Sequence, residues 1–88
     1  MPDPRPYLIL VARAAQRDFD RLPPDVKVRV RGAMERLVHD PRGQSEKLAA
    51  GDAYRRRVGD QRIVFRVDDT AREVLVTRIK HRREVYRR

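Results

Sequence analysis

The spacing of apolar positions along the chain changes character several times, and each change marks an element. Residues 7–11, "YLILV", form a short continuous run of β-favouring side chains after a proline-rich start, which predicts a buried strand. Ala15, Phe19 and Leu22 then fall at i, i+4 and i+7 with charged residues between them, the pattern of one face of a short helix. "LPPD" stops it. Pro23 and Pro24 suit the start of a second helix, where a missing N–H costs nothing, and Asp25 suits the positive end of its dipole. Val26, Val30, Ala33, Met34, Leu37 and Val38 keep helical spacing, and that spacing outweighs the β-branched bias of "VKVRV". "HDPRG" closes the helix, because Pro41 disfavours helical backbone at the residue before it and Gly43 opens a loop. Residues 42–53 read as a long polar connection anchored by Leu48.

Three strands follow. Residues 54–58 and 62–67 flank "GDQ", a Gly/Asp connection of the kind hairpins use, and "DDTA" leads from the second of these strands to a third over residues 73–79. The predicted class is therefore α+β in the order β-α-α-β-β-β, with two N-terminal helices packed on one face of a small, mainly antiparallel sheet. Alternation assigns the faces: Ile63, Phe65 and Val67 point to the helices and Arg62, Val64 and Arg66 point away. In the preceding strand Arg55 groups with Arg57, and Tyr54, Arg56 and Val58 lie opposite.

Composition sharpens this picture. The 88 residues have room for one domain, residues 1–88, with a limited core. Cysteine is absent, so disulfides, thiolate metal sites and a cysteine nucleophile are excluded. His39 and His81 make no metal site by themselves, and no metal or other cofactor is expected. No stretch approaches the length of a membrane-spanning helix and the N-terminal run lacks a signal-peptide pattern, which predicts a soluble cytoplasmic protein with no membrane partner. The formal charge is +9, and 19 of the 22 basic residues are arginine, whose planar fork fits phosphate.

Arg55, Arg57, Arg62 and Arg66 share the predicted open face, and the tail "KHRREVYRR" adds Lys80, His81, Arg82, Arg83, Arg87 and Arg88 near its edge. Two readings of these cations stand: a solvated surface that blunts an exposed sheet, or a rigid platform for an anion. Like charges on one face repel, and an anion relieves that repulsion. RNA cleavage needs an activated 2′-OH, stabilisation of charge building at phosphorus, and a proton for the departing 5′ oxygen. Arginine suits the second task and cannot act as a base. Proton transfer falls to Tyr86 or His81, and Tyr86 is equally suited to stacking on a base or to packing.

The element order, "YRRRVGDQRIVFRVDD" and the later "VTRIKHRREVY" together resemble the RelE/ParE superfamily of bacterial toxins over nearly the whole chain. The pairing of a "GDxR" hairpin with a terminal "HRxxVY" is the most specific part. The RelE-like branch implies the toxin of a type II toxin-antitoxin system: a metal-independent endoribonuclease that cuts messenger RNA on the ribosome and is held inactive by a cognate acidic antitoxin. On that resemblance Arg62 contacts the scissile phosphate, Arg82 stabilises the transition state, and Tyr86 matches the terminal tyrosine, with His81 as its alternative in proton transfer. Arg55 and Arg57 stand where relatives carry lysines, and with Arg66 and Arg83 they would hold the RNA backbone. ParE-like members share the fold and act on DNA gyrase without nuclease chemistry, which is the alternative reading.

Overall fold

The computed structural model describes residues 5–48 and 51–81. Its elements are β1 (Leu8–Val11), α1 (Arg13–Asp20), α2 (Pro24–Arg36), β2 (Glu46–Lys47), β3 (Ala53–Val58), β4 (Gln61–Asp68) and β5 (Glu73–His81). One five-stranded sheet in the order β1-β5-β4-β3-β2 results, antiparallel except for the parallel pair β1–β5. The α+β order and the helix-covered sheet agree with the sequence pattern. The one element missing from it is β2, a two-residue edge strand inside the polar connection. Both of its residues are charged, so no alternation betrays it. It is held by pairing, with Glu46 opposite Arg55 and Lys47 opposite Tyr54.

Helices and sheet meet over Val30, Ala33 and Leu37 of the α2 side and Ile63, Phe65, Val67, Val74, Val76 and Ile79 of the sheet. Phe65, Leu37, Ile63, Val30, Val74 and Val76 are fully buried, and burial of each is worth about 1.5–3 kcal/mol. Tyr54 stacks on its cross-strand partner Phe65 with ring centroids 5.8 Å apart. α2 begins with Pro24 and has Asp25 in its first turn, as its dipole favours.

Strict alternation along β5 would bury Arg78 with Val74 and Val76 and turn Ile79 to solvent. The ladder avoids this by slipping one residue: Phe65 pairs with Val76 while its neighbour Val64 pairs with Arg78, leaving Thr77 as the extra residue. The Thr77 hydroxyl donates to the Val64 carbonyl at 3.1 Å and fills the interruption. Ile79 thus joins the core, and Arg78 and Lys80 turn to the open face beside Val64 and Arg62.

β1 covers β5 only as far as Val76, and α1 takes over the edge beyond it. Asp18 of α1 does the work of a missing strand: its Oδ2 accepts the Ile79 N–H at 2.9 Å, and its two oxygens accept Nε and Nη2 of Arg78 at 2.7 and 3.1 Å. A second carboxylate, Asp69, gathers three segments. It accepts a forked pair of hydrogen bonds from Arg42 at 3.0 and 2.9 Å and the Tyr7 hydroxyl at 2.6 Å, while Arg42 Nε donates to the Tyr54 hydroxyl at 2.8 Å. The long connection is pinned to the sheet by this knot.

Both carboxyl groups sit below their usual range. For Asp69 the cause is first the Arg42 hydrogen bonds and then the Tyr7 hydroxyl. For Asp18 burial pushes upward, and the Arg78 and Ile79 hydrogen bonds with the Arg78 and Lys80 charges outweigh it. A carboxyl depressed in this way adds stability that is complete above its unfolded pKa of about 3.9 and disappears as pH falls through the folded value. Asp18→Ala also strands the Ile79 N–H. With Arg78 partly in solvent, the expected loss at pH 7 is about 1–3 kcal/mol by urea denaturation. Asp18→Asn keeps an acceptor, so it should lose less and show a shallower fall in stability below pH 4 than the parent; parallel acid limbs would refute the assignment.

Candidate phosphate-binding site

The β3–β4 hairpin sets the site. Its two-residue turn, Gly59–Asp60, places Gly59 at φ +58°, a left-handed conformation that glycine adopts without strain. Val58 then faces Gln61, Arg57 faces Arg62, and Arg55 faces Val64, so Arg55, Arg57 and Arg62 project from one side of two neighbouring strands.

These three arginines line an open-face cleft of about 230 Å³ together with Gln44, Ser45 and Glu46. Arg62 is not the solvent-facing group that alternation suggests, since only 4% of it is exposed. Its Nη1 folds back on the hairpin and donates to the carbonyls of Gly59 and Gln61 at 3.3 and 3.1 Å. Among the described residues its Nε and Nη2 have no partner. Arg57 is exposed and likewise has no partner among them. Arg55 is half-buried and paired with the Glu46 carboxylate. One fork is therefore anchored by the turn, one is unpaired, and one is held by an acid.

Two expected members stand elsewhere. Arg66 shares the open face, but its Nε donates to Asp52 at 3.0 Å and it lines a separate cleft with Leu10, Asp68, Glu73 and Leu75. Its charge is spent within the protein. His81 lies opposite Gln61 and lines a cleft with Val26, Arg29, Val58, Gly59 and Asp60, on the helix side of the sheet. The slip at Thr77 put it there, while bringing Lys80 opposite Arg62 on the open face. Arg82, Arg83 and Tyr86 lie outside the described residues. The sequence pattern missed Gln44, Ser45 and Glu46, which reach the cleft through the polar connection. Pro41 and Gly43 ahead of them signal the loop but not its course.

Chemically, the cleft offers two available arginine forks and one carboxylate within a concave surface, a set suited to a phosphate ester bearing a hydroxyl neighbour. Among the described residues there is no group of three or more His, Cys, Asp and Glu side chains able to hold a metal ion, and no helix long and apolar enough to cross a membrane.

Comparison with known proteins agrees with this architecture. The family model described as the ParE toxin of the type II toxin-antitoxin system parDE matches residues 9–86. Toxin RelG of Mycobacterium tuberculosis is 30% identical over 86 residues, covering 94% of this chain and 99% of that protein. Among solved structures, the RelBE2 toxin-antitoxin complex of M. tuberculosis superposes with a TM-score of 0.80 at 26% identity, covering 86% of this chain and 98% of that one. The intact E. coli RelBE complex gives 0.77 at 20% identity, covering 85% and 95%, and supports the fold. The chain belongs to the RelE/ParE superfamily of toxins of type II toxin-antitoxin systems.

The charge assignment within the cleft has a direct readout. Glu46→Gln frees Arg55 and should require more salt to elute from heparin than the parent, whereas Arg57→Gln should require less. Unchanged elution of both variants would mean that the cleft is not where polyanions bind.

Proposed function

We propose that this toxin is an endoribonuclease that cuts messenger RNA on the ribosome. The observation that carries the reading is the buried Arg62 fork, fixed through Nη1 while, among the described residues, its Nε and Nη2 and the neighbouring Arg57 have no partner. A donor held rigid before the ligand arrives needs no reorganisation when charge develops, which is the condition for transition-state stabilisation. The 30% identity to Toxin RelG supports the RelE-like branch.

In the proposed step the 2′ oxygen attacks the adjacent phosphorus, the bond from phosphorus to the 5′ oxygen breaks, and a cyclic phosphate forms. Arg57 and Arg62 take the charge on the non-bridging oxygens. Arginine is too basic to accept the 2′ proton, and Glu46 is the carboxylate that lines the cleft, so it takes that role. The departing 5′ oxygen takes its proton from Tyr86, in preference to His81, which sits across the sheet. Arg82 supplements the charge at phosphorus, Arg83 holds the flanking backbone, and Arg55, paired with Glu46, turns to that backbone once Glu46 has taken the proton. The M. tuberculosis RelBE2 and E. coli RelBE structures are toxin-antitoxin complexes. A cognate acidic antitoxin covering the arginine face is the corresponding partner here, and its attraction weakens with salt.

Arg62→Ala should lower cleavage about 10²-fold, the order set by loss of one transition-state donor, and Arg62→Lys, which keeps charge without the fork, should restore part of it. Arg62 is buried, so a thermal melt accompanies each variant and Arg57→Ala, at an exposed position, provides the second reading. Primer extension on messenger from programmed ribosomes is the assay, beside gyrase supercoiling. Inhibited supercoiling with intact messenger would overturn the proposal in favour of the gyrase-directed alternative, which the description of the matched family model keeps in view.

Tyr86→Phe should reduce cleavage while ribosome binding stays near the parent's, and His81→Gln should cleave normally. The reverse pattern would return proton transfer to His81.

A further inference from the structure

Arg56 is the middle one of the three consecutive arginines, and alternation sends it to the helix side of the sheet, away from the cleft just described. It is 8% exposed. Among the described residues its guanidinium is bonded only to neutral oxygens: Nη1 to the Gly43 carbonyl at 3.2 Å and Nη2 to Gln44 Oε1 at 3.4 Å. A buried cation without a counter-charge is expensive, and the usual remedy is a paired anion. Among the described residues no carboxylate pairs with it.

The guanidinium lines a cleft of about 350 Å³ with Arg36, Asp40, Gly43 and Gln44. Arg36 comes from the last turn of α2, is exposed, and has no partner among the described residues. Asp40 is the one acid in the lining, and its Oδ1 is engaged by the Gly43 N–H at 3.1 Å. The Asp40 carboxylate packs so tightly on Gly43 that a Cβ there would meet Oδ2 at 2.1 Å, which holds it against the loop backbone instead of either arginine. Among the described residues the lining thus carries two cations without an ion-pair partner and one acid held by the loop backbone, a balance that stays positive.

Gln44 joins this cleft to the open-face site. It lines both, and it holds φ +57°, a left-handed conformation that costs a non-glycine residue energy and places its side chain at the sheet edge. Gln44 is thus the lining residue shared by the Arg55–Arg57–Arg62 cleft and the one that holds Arg36 and Arg56.

We propose that the cleft between the end of α2 and β3 is a second phosphate subsite, in which Arg36 and Arg56 hold a backbone phosphate flanking the one held on the open face. The assignment of RNA as its source rests on the ribonuclease reading; the anion chemistry of the cleft does not. Two measurements on the full-length toxin test it separately. The first titrates inorganic phosphate and follows the Arg56 side-chain Nε–H resonance by NMR, which should shift in the parent and lose most of that shift in Arg36→Gln. The second measures binding of a 2′-O-methyl RNA tetranucleotide, which cannot be cleaved, across a salt series. Each phosphate contact on a single strand adds about 0.7 to the slope of log K against log salt, so Arg36→Gln should reduce the slope by about 0.7. Arg13→Gln, on the exposed side of α1, is the control and should leave the slope unchanged. Loss of the NMR shift without a change in slope would make the cleft a site for free phosphate and overturn the flanking-phosphate assignment. An Arg56 resonance indifferent to phosphate would overturn the subsite altogether. A toxin that binds the tetranucleotide with the expected slopes and leaves ribosomal messenger intact would retain the subsite while refuting the nuclease.

Discussion

One extra residue in β5 governs how the two faces of the sheet are used. The core requires Val74, Val76 and Ile79 on the same side, a spacing that a regular strand cannot supply. Thr77 absorbs the mismatch and binds the Val64 carbonyl with its hydroxyl. Everything beyond it inherits the new phase. Arg78 is delivered to Asp18, Lys80 to the neighbourhood of Arg62, and His81 to the helix side. Packing of the hydrophobic layer therefore decides which basic groups stand before an incoming anion.

The acids of the sheet region complete that selection. Asp18 holds Arg78, Asp69 holds Arg42, Asp52 holds Arg66 and Glu46 holds Arg55. Each pairing lowers the local field and fixes a segment: the sheet edge, the long connection, the start of β3 and the strand β2. Surface ion pairs of this kind add little stability singly, but they decide where positive potential is left over. Among the described residues, what remains around the hairpin is Arg57, Lys80 and the open end of Arg62 on one side, with Arg36 and Arg56 on the other.

Much of this was written in the sequence. Helical spacing from Ala15 to Leu37, the Gly-Asp hairpin and the alternation of β4 carry strong periodic signals, and the folded chain follows them. Arg55, Arg57 and Arg62 were placed together by the same reasoning, because a two-residue turn leaves little freedom of register. The signals failed where periodicity is silent, and also at β1, whose apolar run reads as a buried strand but forms a sheet edge with Leu8, Leu10 and Val11 exposed. Glu46 and Lys47 form a strand by borrowing hydrogen bonds from β3, and no apolar residue marks them. The slip at Thr77 comes from competition between packing layers distant in sequence, so the side taken by His81 was out of reach of any local pattern. Arg62 folded back on its own turn and Arg66 found Asp52, because a long side chain chooses among partners that only the tertiary structure brings near.

The shortness of the Gly59–Asp60 turn has an evolutionary consequence. Three arginines in a row occupy alternating sides, so shifting β3 against β4 by one residue would exchange Arg56 with its neighbours: β3 would give the open cleft one guanidinium where it now gives two, and two would be driven into the helix layer. Net charge, composition and the run of arginines would all survive such a change. A related chain with a one-residue insertion at this turn would therefore present a different set of guanidiniums on each face even where every basic residue aligns.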